Sequence, residues 1–424
     1  MILESKRTEI RRGIWLNVIE TDKFKTNLLT VNILRPLDRD EVTMNALLPM
    51  VLDRGTSNTP TKLMIERKLE EMYGSVMGIG TSKRGERQII SASIEWADSI
   101  FIEDATIGDK AVKLLRELLF EPLAVDGAFN SEYVAQEKKN LISRIKNRIN
   151  DKRTYAVNRC IEEMCKGERF SIYNLGYEED AANISEHDLF NHYERILEES
   201  PIEIFYVGRT SSLDLDKLVP ETQKRSETII EIPRETIYSH NLSRNQVVER
   251  LPVTQGKLVL GYRSSIPYED PLYDGLLLGT LVLGGGPNSY MFMKVREEES
   301  LAYYASASVI KHKSIILAEA GIEIANYNKT LDLMIKQMDR IKEGDFTQDD
   351  IEIAKKSITT STEAIIDSNR MITDFNMGKL IAGDKRSLEE IIKSLEAVTK
   401  EEIVKAMSSV SLDTIYFMKD QEGG

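Results

Sequence analysis

ILRPLDRDEVTMNALLPMVLDRG (residues 33–55) and RSSIPYEDPLYDGLLLGTLVLGG (residues 263–285) are two 23-residue stretches that align without a gap at an offset of 230 positions. Each reads as the end of a strand, an acidic turn, an apolar helix and then a glycine. Further along, QIISASI from Gln88 and IILAEAGI from Ile315 correspond at a similar offset. Similarity of a chain to itself at a fixed spacing indicates duplicated structural units. Chance resemblance of two α/β segments is the alternative, and the sequence favours duplication.

The secondary-structure pattern is similar in the two halves. Short runs rich in branched and aromatic residues predict strands at 27–34, 88–94, 202–207, 257–262, 315–322 and 414–418. Apolar residues at helical spacing predict helices within 44–52 and 331–341. Interleaved strands and helices are typical of the α/β (α+β) class. We expect an N-terminal domain at 1–220, a polar linker at 221–245 and a C-terminal domain at 246–424.

The charge balance limits the classes of partner. The 424-residue chain has a formal net charge of −13, so it has no general attraction for nucleic acid or for anionic membranes. A basic stretch at 138–153 is expected to be a solvated helix face rather than a nucleic-acid site. Because no apolar run reaches the roughly 18 residues of a membrane helix, we expect no membrane span.

The cysteines and the first residues indicate the compartment. Cys160 and Cys165 are five positions apart, a spacing that suits neither a disulfide framework nor a zinc ribbon. We therefore expect free thiols, as in a reducing cytoplasm. The opening residues MILESKRTEI have no apolar core and do not read as a signal peptide. The sequence thus predicts a cytoplasmic protein.

The most specific motif follows the second repeat. The stretch LGGGPNSYMFMKVREEESLAYYAS (residues 283–306) resembles the C-terminal-domain signature of the insulinase/pitrilysin-like (M16) zinc-peptidase family. That signature is a Gly-rich loop, a Ser, a Leu-Phe pair, V-R-E, a spacer and L-A-Y. Tyr290 and Met291 depart from it where the family has Arg and Leu. The matching residues are Gly284, Gly285, Gly286, Ser289, Phe292, Val295, Arg296, Glu297, Leu301, Ala302 and Tyr303.

Two further segments agree with the family. Arg54-Gly55-Thr56 resembles the K-G-T that follows the active-site helix, and residues 174–196 resemble a segment of the family's first domain. The resemblance thus covers nearly the whole chain. It implies two homologous domains like those of mitochondrial processing peptidase, each a mixed, mostly antiparallel sheet covered by helices.

The zinc motif of the family is missing. Active members carry H-x-x-E-H on a helix, where two imidazoles one turn apart hold Zn²⁺ and the Glu acts as general base. The aligned residues here are Ala46, Leu47, Leu48, Pro49 and Met50. The four histidines all lie more than a hundred residues from Gly55. We expect two of them, His187 and His192, to be surface residues.

The distal part of the zinc site is also incomplete. Glu137 matches the family's third ligand, but the position seven residues on, usually acidic, is Arg144. A single carboxylate cannot hold zinc in this geometry, so we expect Glu137 to be vestigial or solvated and the metal to be absent. Pro49 predicts a local break in its helix. No cofactor is expected on this chain, and the resemblance implies that zinc is bound by a partner subunit.

The resemblance implies a binding role for Arg296 and Tyr303. In the family, an Arg and a Tyr at this spacing hydrogen-bond the substrate backbone and the developing oxyanion. Guanidinium and phenol donors do strengthen as a carbonyl oxygen gains charge. The alternative is a surface charge and a core aromatic. Because Tyr304 is adjacent, the sequence does not decide which tyrosine faces the substrate chamber.

Together these features imply a pseudo-peptidase subunit of an M16B-type pair. A homologous H-x-x-E-H chain would bind the zinc, and a peptide or unfolded protein segment would be the substrate. The segment RGTSNTPTKLMIERKLEEMYGS (residues 54–75) resembles family members of Gram-positive bacteria that are linked to 5-aminopentanol modification of elongation factor P. The alternatives are a structural or assembly subunit and a stand-alone peptide-binding module. Homodimers are an expectation when the partner is absent.

Overall fold

The computed structural model describes residues 5–209, 213–238 and 244–421, and shows an α/β fold with helices packed on two large sheets. The strands are β1 Lys6–Arg11, β2 Ile14–Glu20, β3 Thr26–Pro36, β4 Val76–Arg84, β5 Arg87–Ala97, β6 Ala124–Val125, β7 Ala128–Phe129, β8 Ile202–Gly208, β9 Asn245–Arg250, β10 Gly256–Arg263, β11 Ala302–Ile310, β12 Ile315–Ile322 and β13 Ser411–Lys419. The α-helices are α1 Val42–Leu52, α2 Lys62–Glu71, α3 Ile107–Phe120, α4 Ser131–Asn147, α5 Lys152–Met164, α6 Glu178–Asn183, α7 Glu186–Glu199, α8 Tyr273–Gly284, α9 Tyr327–Glu343, α10 Gln348–Glu363, α11 Asn369–Ala382, α12 Leu388–Ala397 and α13 Lys400–Ser408. Every strand and helix predicted from the sequence is confirmed.

The topology of the two sheets confirms the duplication. The first sheet has the order β1-β2-β8-β3-β5-β4, and the second, read from its β9 edge, has the order β9-β13-β10-β12-β11. In the first sheet β2 and β8 run parallel and the other neighbours antiparallel. In the second sheet β9 and β13 are the parallel pair. Apart from β1, the two sheets therefore match strand for strand.

The two repeated helices are buried on all sides. Nearly all side chains of α1 and α8 are buried, as expected for helices that read as continuous apolar segments. Each follows a central strand, β3 or β10, and packs into the core of its own half. The 23-residue repeat therefore encodes a central strand and the helix behind it.

Two compact units do not coincide fully with the two sequence repeats. The first comprises the described parts of Met1–Asn147, Ile172–Arg234 and Ile365–Gly378, and the second those of Arg148–Ser171, Glu235–Ala364 and Lys379–Gly424. The change at residues 234 and 235 falls inside the predicted linker. However, α5 from the first copy belongs to the second unit, and most of α11 from the second copy belongs to the first.

Side-chain packing explains these two assignments. On α5, the apolar residues Tyr155, Cys160 and Met164 are buried against Val259 and Tyr416 of the second sheet. At the start of α11, Asn369 and Arg370 donate hydrogen bonds of 3.1 and 3.0 Å to Glu95 on β5 of the first sheet. Apolar burial thus assigns α5 to the second sheet, and hydrogen bonds assign the start of α11 to the first, irrespective of the repeat from which each helix comes.

The structure also bears on the expectations for the cysteines, the basic stretch and a membrane span. Cys160 and Cys165 are buried and are not joined in a disulfide. In the basic stretch, Lys146 and Arg148 form ion pairs with Glu178 and Glu162, so part of its charge is locally neutralised. Among the described residues, none of the helices combines the length and the apolar character needed to cross a bilayer.

Candidate functional site

Helix α1, which the sequence resemblance aligns with the family's zinc-binding helix, carries no His, Cys, Asp or Glu side chain. Ala46 and Met50 lie one turn apart where two histidines would stand, and Pro49 lies inside the helix. Contrary to the predicted break, α1 is continuous from Val42 to Leu52. Proline removes one hydrogen bond, to the carbonyl of Asn45, near the C-terminal end. Burial of the surrounding side chains holds the helix through this point.

Glu137 on α4 is buried, which excludes the solvated state that was one of the two alternatives expected from the sequence. Only 6% of the surface of Glu137 is exposed to solvent. Arg54 donates to its Oε1 at 3.2 Å, and Asn140 donates to its Oε2 at 3.0 Å. Arg54 also donates to Gln136 and lies 4.6 Å from the ring centre of Tyr133. A guanidinium thus compensates the charge of this buried carboxylate.

The residues present do not fit a zinc ion. Zinc sites in proteins combine three or four Cys, His, Asp or Glu ligands. Here Ala46 and Met50 offer no such ligand, and Glu137 is engaged by Arg54. Within the described parts of the chain, no group of three or more potential ligands is close enough to hold a metal.

This geometry predicts that the chain does not retain zinc. After dialysis against buffer with micromolar zinc, we expect far less than one zinc per molecule by atomic emission spectroscopy, because affinity requires several converging ligands. A homologous H-x-x-E-H chain treated in parallel is the positive control. Stoichiometric zinc that survives dialysis, and that is lost on replacing Glu137 with glutamine, would contradict the assignment.

A buried polar network beside α1 was missed by sequence reasoning. His192 on α7 is 3% exposed and not a surface residue as expected, whereas His187 is exposed. The His192 Nε2 lies 2.7 Å from Asn45 Oδ1, and Asn45 donates to Gln88 at 2.9 Å. Arg195 lies 2.9 Å from His192 Nδ1. Because a guanidinium only donates, Nδ1 accepts and Nε2 carries the proton, so His192 is neutral.

His192 should make the fold sensitive to acid. Burial, with a further contribution from nearby Arg195 and against the influence of Glu41, lowers the pKa of His192 from 6.5 to about 4. As the pH falls, the unfolded chain binds this proton first. The stabilisation is therefore complete above pH 6.5 and is lost between pH 6.5 and about 4, by roughly 3 kcal/mol. Urea unfolding of wild type and His192→Gln should show a steeper pH dependence for wild type. The control His187→Gln should show the same pH dependence as wild type. An equal pH dependence of the unfolding free energy in wild type and His192→Gln would contradict this prediction.

The signature segment separates into core and surface residues. Met291, Val295 and Leu301 are buried in the second unit. At Gly284, a Cβ atom would lie 2.1 Å from the backbone nitrogen of Ala307, so only glycine permits this approach of α8 to β11. Ser289 closes the glycine-rich turn by donating to the Gly286 carbonyl at 2.6 Å. Most of the motif therefore builds the fold.

Arg296, Glu297 and Tyr303 are polar signature residues that reach the surface, and Arg296 and Tyr303 are the two that can donate hydrogen bonds. Arg296 lies in the π-helical segment Met291–Glu298, a rare form that is frequent at functional sites. Its side chain is 41% exposed, with the guanidinium carbon 4.5 Å from the centre of the Phe292 ring. Tyr303, at the start of β11, is 62% exposed. The pair is thus accessible to a ligand, and Tyr303 is not a core aromatic.

Tyr304 differs from its neighbour. Its ring is partly buried, with the Arg153 guanidinium carbon 4.3 Å from the ring centre. Burial raises the pKa of Tyr304 well above its usual range. Of the two tyrosines, Tyr303 is therefore the one whose phenol is free to meet a ligand.

Comparisons with known proteins identify the family. The profile of the family "Peptidase M16 inactive domain" matches residues 183–358. The "Probable inactive metalloprotease YmfF" of Bacillus subtilis (strain 168) is 33% identical over 412 residues, which are 97% of this chain and 97% of that protein.

Solved structures show the same fold over nearly the full length. A conserved protein from Enterococcus faecalis V583 superposes with a TM-score of 0.90 at 28% identity, covering 99% of this chain and 100% of that one. A peptidase M16 inactive domain protein from Pseudomonas fluorescens does so with a TM-score of 0.82 at 16% identity, covering 99% of both chains. The degenerate zinc helix, the retained signature and these similarities lead to one conclusion: the chain belongs to the M16 peptidase family, as an inactive member.

Proposed function

We propose that this chain is the non-catalytic subunit of an M16B-type zinc-peptidase pair. The observation that carries the proposal is that the metal-binding residues have been lost while the signature residues that the resemblance assigns to substrate binding have been retained. The metal positions on α1 have become Ala46, Pro49 and Met50, whereas Arg296 and Tyr303 of the signature are kept and exposed. A chain with a purely architectural role has no need of exposed signature donors.

In this proposal the two chains divide one active site. The homologous partner supplies Zn²⁺ and the glutamate base of its H-x-x-E-H helix. This chain supplies Arg296 and Tyr303, whose N–H and O–H groups donate to the backbone of the bound peptide and to the oxyanion that develops during attack. Donors fixed in advance at such a position are worth about 10²–10³ in rate each.

The substrate and setting follow from the same assignment. The substrate is a peptide or an unfolded protein segment, since the pair closes over an extended chain. Two buried cysteines that form no disulfide support a cytoplasmic location. The resemblance of residues 54–75 to Gram-positive relatives supports a link to elongation factor P modification. Homodimers would form when the partner is absent.

A mixing experiment tests the proposal. The H-x-x-E-H homologue from the same genome and this chain are purified separately, mixed, and assayed on an unstructured peptide library with and without a zinc chelator. We expect co-elution in size-exclusion chromatography and chelator-sensitive cleavage in the mixture alone. Co-elution without a gain in activity would favour an assembly subunit. Peptide binding by this chain alone, with neither co-elution nor a gain in activity on mixing, would favour a stand-alone binding module. Either result would overturn the divided site.

A further inference from the structure

Strand β11 carries a bulge at Tyr303. Ala302 pairs with Ile322 of β12, whereas Tyr304 pairs with the next residue, Gly321, so the register shifts across Tyr303. Strand β11 is also the last strand in the order of the second sheet. Bulges re-aim side chains and are common at sheet edges and next to active sites. The orientation of Tyr303 therefore depends on whatever fixes the residues beside the bulge.

Tyr304 is held firmly on one side of that bulge. A Cβ atom at Gly321 would lie 2.3 Å from Cε1 of the Tyr304 ring, so the ring lies directly over the backbone of the glycine. The guanidinium carbon of Arg153 lies 4.3 Å from the centre of the same ring, and the Lys257 Nζ lies 5.5 Å from it. Such cation–π contacts add attraction and fix the ring plane.

Arg153 is itself fixed by a two-pronged ion pair. Its Nη2 lies 2.5 Å from Oε1 of Glu319 on β12, and its Nε lies 3.2 Å from both carboxylate oxygens. Ser306 of β11 donates to the same carboxylate at 3.2 Å. A bidentate guanidinium–carboxylate pair is directional as well as strong. Arg153 thus ties α5, β11 and β12 together at the bulge.

We propose that Arg153 is a positioning residue for Tyr303, which acts through Tyr304 and Glu319 by holding the bulge in one conformation. Arg153 comes from the first sequence repeat, on the helix that belongs to the second unit, so the first repeat helps to shape the signature of the second. What Tyr303 then does in catalysis rests on the proposed function. The positioning itself is a property of this chain alone.

The variants exploit a matched pair of arginines on one helix. Arg153→Ala removes the contact at the bulge. Arg159→Ala removes another α5 arginine that binds the same sheet, through Glu249 at 3.1 Å on β9, away from β11. Lysine at position 153 keeps the charge but cannot form the bidentate pair with Glu319. The exchange Arg153→Glu with Glu319→Arg offers rescue of the ion pair.

Two readouts separate this inference from the proposed function. In the isolated chain, amide hydrogen exchange of the peptide covering β11 should be about tenfold or more faster in Arg153→Ala, because local opening is freed, and unchanged in Arg159→Ala. In the mixed pair, Arg153→Ala should lower kcat by about tenfold or more with little change in KM, as misplacement of a catalytic group does. The double exchange re-forms the ion pair but not the cation–π contact with Tyr304, so it should restore both readouts in part.

The outcomes are distinct. Unchanged β11 exchange in Arg153→Ala, or an equal increase in Arg159→Ala, would overturn the positioning role even if the wild-type pair is active. Faster β11 exchange in Arg153→Ala alone would support it, even if the mixture shows no cleavage and the divided active site fails. Glu319→Gln, which keeps the shape of Glu319, should reproduce the effect of Arg153→Ala on exchange.

Discussion

Replacing Asp413 with alanine is expected to lower the free energy of unfolding by about 3–5 kcal/mol. Asp413 accepts a hydrogen bond of 2.8 Å from Arg263 Nε, and its side chain is 1% exposed. Arg263 also donates to Glu168 at 2.6 Å, and Glu168 accepts from Lys313 at 2.8 Å. Two buried cations thus face two buried anions, and removal of one anion leaves an uncompensated charge away from water.

This network also fixes the segment that follows α5. Arg263 lies on β10 and Asp413 on β13, whereas Glu168 lies just after α5. Arg263 donates in addition to the Met164 carbonyl, at the end of α5, at 2.6 Å. The loss of Asp413 should therefore loosen the attachment of α5 to the second sheet, beyond its effect on stability.

Urea unfolding measures the predicted loss. Both tryptophans, Trp15 and Trp96, lie in the first unit, so tryptophan fluorescence reports that unit and circular dichroism reports both. We expect Asp413→Ala to shift the circular dichroism transition more than the fluorescence transition. Lys329→Ala breaks an exposed ion pair with Glu299. It should lower the free energy of unfolding by under about 1 kcal/mol. Equal, small shifts for the two variants would show that the buried network contributes little.

Replacing Arg296 with alanine should lower kcat/KM of the mixed pair by about 10²–10³. The guanidinium is exposed, and Glu297 at 3.6 Å is a weak competitor for it. Tyr303→Phe removes one O–H donor from an exposed ring and should have an effect of similar size. Neither change should alter the stability of this chain, since surface substitutions away from special contacts are within about 0.5 kcal/mol.

Tyr304→Phe is the matched control for Tyr303→Phe. It deletes the same hydroxyl one residue away but keeps the ring and its contacts with Gly321 and Arg153. We expect activity close to that of the wild-type pair. Equal losses for both tyrosine variants would show that the exposed phenol has no special role. A wild-type rate in the pair that contains Arg296→Ala would show that the guanidinium has no role in the active site.

Much of the fold could be predicted because the repeat carries its own pattern. The apolar runs of β3 and β10 and the helices behind them are buried on all sides, so their composition is unambiguous. The assignment of α5 could not be predicted in the same way. Its apolar stripe shows that the helix packs on a sheet, but the choice of the second sheet depends on long-range partners such as Glu249 and Glu319.

The candidate site could be predicted in part. The absence of metal ligands follows from residue types alone, as at Ala46 and Met50. The burial and pairing of Glu137 cannot be predicted from residue types, because they depend on Arg54, 83 positions away in the sequence. His192 was placed wrongly because histidine spacing says nothing of burial, which Asn45 and Arg195 make possible by satisfying both ring nitrogens.

The most direct test of the divided active site is a titration of the H-x-x-E-H homologue with this chain at fixed peptide concentration. The initial rate of zinc-dependent cleavage should rise until one chain is present per homologue and then stay constant. The Arg296→Ala chain should bind the homologue equally well and compete with wild type, yet restore less than a tenth of the rate. A homologue that is fully active alone, or a rate that is the same with either chain, would contradict the account.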